Sequence, residues 1–83
     1  MIFSFRSKET EAIWRGDFVK GLPPDIQNVA RRKLRMLNSA KKLDDLRIVL
    51  SEGEGRRSIV VSDQLRIRFL WSGRGAKFVE VVE

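Results

Sequence analysis

The chain contains no histidine, no tyrosine and no cysteine. Without cysteine there is no disulfide to staple the fold and no thiolate to hold zinc, and no metal or other cofactor is expected. Without histidine and tyrosine, the side chains that most often move protons near neutral pH are missing. No apolar run approaches the roughly 20 residues that span a bilayer. Residues 1–5 are apolar, but charges follow at once, so no signal peptide is expected. A cytoplasmic location and no membrane partner follow as expectations.

What is present is positive charge. Seventeen Lys and Arg face eleven Asp and Glu, a net charge of +6 over 83 residues. That balance suits a polyanionic partner such as RNA, DNA or the ribosome, or an acidic protein. The length fits one small domain, residues 1–83, with a thin core.

The most informative stretch is Ser62 to Trp71. Leu65, Ile67, Phe69 and Trp71 recur at the period of a strand and make one apolar face. Arg66 and Arg68 point together from the other face, and two guanidinium groups so spaced suit a phosphate contact. Arg66 could instead pair with a carboxylate such as Glu80, and Arg68 could be a plain solvated residue.

Elsewhere the pattern predicts a short strand over 1–5 and a helix over 8–15 capped by Ser7. A break follows between Gly16 and Gly21. A main helix begins at Pro23-Pro24-Asp25, where proline is tolerated, and ends near 38–41. Its apolar stripe is Ile26, Ala30, Leu34 and Leu37, broadened by Val29 and Met36. The basic residues beside it (Arg31, Arg32 and Arg35) are either a solvated face or an RNA face. A single turn over 43–46 leads to strands over 47–50, 57–62, 65–71 and 76–82. Their turns fall at Glu52–Gly55, Asp63-Gln64 and Ser72–Gly75. Helices followed by a meander indicate an α+β fold, β-α-α-β-β-β(β), with both helices on one face of an antiparallel sheet. Trp14 and Trp71 sit at apolar positions and are expected in the core rather than stacked on bases.

This order resembles the HigB branch of the RelE/ParE toxin superfamily, the proteic killer proteins. The opening Met1-Ile2-Phe3-Ser4-Phe5-Arg6-Ser7-Lys8-Glu9-Thr10-Glu11 fits the pattern Met-Ile-x-Ser-Phe-x-x-Lys-x-x-Glu. The family hairpin is close to Trp-Ser-Ile-x-Val-x-x-x-Trp-Arg-Ile-x-Phe. Ser58, Ile59, Val61, Arg66, Ile67 and Phe69 match it, while Arg57 and Leu65 replace the two tryptophans. The resemblance implies a RelE-like fold and the toxin of a type II toxin–antitoxin pair. Such a toxin cuts mRNA on the ribosome, arrests growth and is neutralised by a HigA-like helix-turn-helix antitoxin. The complex would bind operator DNA through the antitoxin.

The departures bear on catalysis. The family carries a His-Pro-Leu-Lys-Gly-like loop where this chain has Leu50-Ser51-Glu52-Gly53-Glu54-Gly55-Arg56, and it ends close to Asp-Tyr-His where this chain has Glu83 alone. Cleavage at a 2′-hydroxyl needs a base, charge stabilisation at the phosphate and an acid for the leaving oxygen. Arg66 is the matched residue for the charge, and Arg68, Arg56, Arg57 and Lys77 are candidate RNA contacts. Arg56 and Arg57 could instead cap a turn. Glu83, Glu80 and Glu54 are candidates for the base, with Glu83 preferred. Two rival functions remain beside the nuclease: a module of the same fold that binds antitoxin or RNA without cutting, and a ParE-like poison of DNA gyrase.

Overall fold

The computed structural model describes residues 1–46 and 49–83. Among them are helix α1 (Lys8–Arg15), helix α2 (Pro24–Ser39), a 3₁₀ turn (Leu43–Asp45) and four strands: β1 (Leu50–Ser51), β2 (Arg56–Val60), β3 (Arg66–Ser72) and β4 (Gly75–Val82). The strands form an antiparallel meander in the order β1-β2-β3-β4, so the expected α+β architecture is present. Residues 47 and 48 of the expected strand 47–50 lie outside the described residues; the described strand there is Leu50–Ser51. Among the described residues no helix is long and apolar enough to cross a membrane.

Local chemistry accounts for the helix ends. Ser7 has extended backbone angles and its hydroxyl accepts from the Thr10 N–H at 3.2 Å, which satisfies one of the unpaired donors of the first turn. Thr10 is fully buried, and its hydroxyl also accepts from the Val81 N–H at 2.9 Å, which ties the start of α1 to β4. Gly16 ends α1 with φ +96°, its N–H donating to the Ile13 carbonyl, while the Asp17 N–H reaches the Ala12 carbonyl. This left-handed ending strongly favours glycine. After α2, the Asp45 carboxylate accepts from the Lys41 and Lys42 N–H groups at 2.9 and 3.3 Å. Those backbone bonds, the one from Lys41 foremost, hold its pKa below the ordinary value.

The core lies between the helices and one face of the sheet. Ile13, Ala30, Leu34 and Leu37 meet Ile59, Ile67, Phe69 and Val79. Each fully buried side chain of the Leu, Ile or Phe type contributes about 1.5–3 kcal/mol. Trp14 and Trp71 pack against the same cluster. Two details differ from the sequence expectation. The first turn of α2 buries Gln27 instead of Ile26, and Met36 is exposed. Gln27 can be buried because its amide is fully used: Oε1 accepts from the Val19 N–H at 2.8 Å, and Nε2 donates to the carbonyls of Val19 and Leu22 at 2.8 and 2.7 Å. The connection between the helices is therefore fixed from below.

The strand expected over 1–5 forms two isolated parallel bridges to β4, Ile2 with Ala76 and Phe5 with Val79. The ladder is interrupted because β4 bulges: its register against β3 slips between Arg68 and Leu70, and Phe78 has φ +53°. The Phe78 N–H bonds to the Ser4 hydroxyl at 2.9 Å instead of to a carbonyl. The second strand ends at Val60, two residues early. The Val61 and Ser62 N–H groups both donate to the Leu65 carbonyl, and the Ser62 hydroxyl accepts from Gln64 and Leu65. A wider loop thus replaces the tight Asp63-Gln64 turn.

Candidate nucleic-acid interface

Strand alternation sorts the basic residues between two faces. Ile59 pairs with Ile67 and Arg57 with Phe69 on the helix-covered face. The opposite, uncovered face therefore holds Arg56, Ser58 and Val60 of β2, and Arg66, Arg68 and Leu70 of β3. Across β3 the partners are Val82 for Arg66, Glu80 for Arg68 and Lys77 for Leu70. Arg6, from the segment beside β4, reaches the same face through Glu80.

The candidate residues divide accordingly. Arg56, Arg66, Arg68 and Lys77 share the open face. Arg57 lies on the other side, in a groove with Leu43, Leu46 and Val49 beside the 3₁₀ turn. Glu83 follows Val82 and lines a groove with Glu9, Lys20 and Leu22 against the helices. The structure thus does not bring Arg66 and Glu83 together. Glu54 is exposed in the turn before β2. On α2, Arg31 braces the two helices against each other. Its Nε donates to the Ile13 carbonyl at 2.9 Å at the end of α1, and its guanidinium lies 6.0 Å from the Phe18 ring centre. Arg32 and Arg35 are exposed.

Two carboxylates thread the open face. Glu52 Oε2 is 2.9 Å from Arg66 Nε, and Glu52 Oε1 is 3.4 Å from Arg68 Nε. Glu80 lies 3.8 Å from Arg68 Nη1 and 3.9 Å from Arg6 Nε. Charge therefore alternates along the line Arg66, Glu52, Arg68, Glu80, Arg6. Arg66 pairs with Glu52 and not with Glu80. The two Nε groups facing Glu52 are sealed from water, yet neither N–H is aligned on a carboxylate oxygen. These contacts are charge pairs held by proximity, not the bidentate fork that arginine makes at its best.

Glu52 owes its place to the turn into β2. Its N–H donates to the Arg56 carbonyl and the Arg56 N–H to the Gly53 carbonyl, both at 2.9 Å. Between them Gly53, Glu54 and Gly55 all have positive φ, at 80°, 54° and 80°. Ser58 Oγ is buried without a well-aligned partner, and its rotatable proton is available to the Glu52 carboxylate. That hydroxyl first, and then the charges of Arg66 and Arg68, hold the Glu52 carboxyl below its ordinary pKa, against the opposing effect of burial.

Chemically, this face can bind a polyanion and stabilise negative charge on a phosphate. The carboxylate nearest Arg66 is a weak base, because a lowered pKa reduces its proton affinity. Among the described residues there is no cluster of three or more acidic side chains placed to hold a metal ion. The sequence reading missed Glu52; the signal was its position one residue past a strand, where alternation turns it to the face of Arg66. No protein-family model matches the chain, and no curated protein matches it.

Proposed function

We propose that this chain is a HigB-type toxin of the RelE/ParE superfamily that acts on ribosome-bound mRNA and is held in check by a helix-turn-helix antitoxin. What carries the reading is the open sheet face, where Arg6, Arg56, Arg66, Arg68 and Lys77 are presented together by the meander. The element order and the sequence resemblance over both ends of the chain support it. Arg66 is the residue assigned to the phosphate in the transition state, with Glu52 displaced as RNA enters.

A second reading is favoured by one observation. Glu83 stands on the far side of the sheet from Arg66. A module of the same fold that binds RNA or antitoxin without cutting fits that arrangement.

Expression of the chain in a bacterial host, with primer extension on a reporter mRNA, separates the two. Codon-linked cuts and growth arrest are expected, and both should disappear in Arg66→Ala while antitoxin binding persists. Growth arrest without cuts would move the target to gyrase. Continued growth would leave the binding module. Full toxicity from Arg66→Ala would refute the assigned site.

A further inference from the structure

Phe78 is held in a conformation that its residue type avoids. At φ +53° it lies in the left-handed region, where a bulky non-glycine residue is a genuine outlier. Neighbouring bonds impose it. The Phe78 N–H donates to Ser4 Oγ, the Val79 N–H to the Ser4 carbonyl at 3.1 Å, and the Arg6 N–H to the Val79 carbonyl at 2.9 Å. Burial does not offset the strain, since the residue is 49% exposed. Strained residues held this way concentrate at binding and active sites. The bulge places Phe78 in a shallow hollow of the open face, lined also by Arg6, Arg56, Arg68, Leu70 and Glu80.

We propose that Phe78 is a stacking platform for one base of a single-stranded RNA, whose adjoining phosphate is received by Arg56. The proposal rests on the reading of this face as an RNA site and adds the residue that selects unpaired strand over duplex. An aromatic ring accepts any base with an exposed face; in a duplex those faces are already stacked on neighbours. Glu80 occupies the Arg6 side of Arg68. Arg56 has no ion pair among the described residues and is the cation of this hollow open to phosphate.

The test is fluorescence anisotropy at low salt, where phosphate contacts are strongest. The probes are a labelled oligouridylate of about eight nucleotides, within the span that small single-strand binders cover, and an RNA duplex of equal length. Phe78→Asn keeps the left-handed backbone, which asparagine tolerates, and removes the ring. It should weaken single-strand binding by about 5- to 150-fold, the range that one base–aromatic stack contributes. Its melting temperature should equal or exceed that of the parent, and duplex binding should not change. Phe78→Trp should bind like the parent, with indole emission quenched by RNA. Unchanged single-strand affinity in Phe78→Asn overturns the stacking role alone. A fall in melting temperature that accompanies the lost binding overturns it too, because the ring would then serve the fold. A parent protein that binds neither probe overturns the RNA reading of the face and the platform with it.

Discussion

Replacing Gln27 by leucine tests how the connection between α1 and α2 is held. Gln27 is 1% exposed, and its amide makes three hydrogen bonds of 2.7–2.8 Å to Val19 and Leu22. Leucine has a similar volume but can make none of them. A typical intramolecular hydrogen bond contributes about 0.5–1.5 kcal/mol net, so three sum to about 1.5–4.5 kcal/mol. Val19 and Leu22 are half-buried, and water can reach part of the freed backbone once the connection loosens. An intermediate loss of about 2–3 kcal/mol is therefore expected. At about 4–8 °C per kcal/mol for a domain of this size, melting should fall by roughly 10–20 °C. Urea unfolding followed by the emission of Trp14 and Trp71 would measure it, with the slope in denaturant unchanged. Gln27→Glu sharpens the test. It keeps an acceptor for the Val19 N–H but turns a carboxylate oxygen on two carbonyls, which raises its folded-state pKa. Its deficit against the parent should be full above that raised pKa and shrink as pH falls through it toward about 4.3, the ordinary value for glutamate. A Gln27→Leu protein within about 0.5 kcal/mol of the parent, the spread of ordinary surface substitutions, would refute the reasoning.

Other outcomes follow from the same structure. At Gly75 an added Cβ would meet the Met1 carbonyl oxygen and lie 2.7 Å from the Phe3 ring; Gly75→Ala should cost about 1–3 kcal/mol, as overpacking does, with faster amide exchange at Phe3 and Arg6. Glu52 has a folded-state pKa below the reference value of 4.5, so its contribution to stability is present above that value and is lost as pH falls through the lower folded-state pKa. Glu52→Gln should lack that part of the acid-side loss, as urea midpoints between neutral and acid pH would show. Ile67 is fully buried at the centre of the sheet; Ile67→Ala should cost about 2–5 kcal/mol in urea unfolding.

Much of the fold was legible because short-range chemistry wrote it. Ser7 and Gly16 marked the ends of α1, the two prolines marked the start of α2, and the alternation in 65–71 marked the strand and its two faces. The errors came from tertiary partners that no local pattern announces. Gln27 reads as a surface residue until three backbone groups of the connecting loop are placed against it. The left-handed turn at Phe78 depends on Ser4, far away in the chain. At the site, alternation correctly joined Arg66 to Arg68 but could not count across the bulge or the Glu52–Arg56 turn. Hence Arg57 and Glu83 were grouped with residues on the other face, and Glu52 was overlooked.

The pairing of residues 1–6 with 76–79 has a consequence for synthesis. Ser4 and Phe78 are 74 positions apart, so this contact closes one of the longest loops the domain contains, and it adds its entropic cost before any local reward. While the chain is being made, its first residues have no strand to lie against until β4 has emerged. The bulge at Phe78 therefore cannot form before β4 has emerged. A growing polypeptide carries Arg6, Arg56, Arg66 and Arg68 before it carries Glu80 and the bulge that stand beside them.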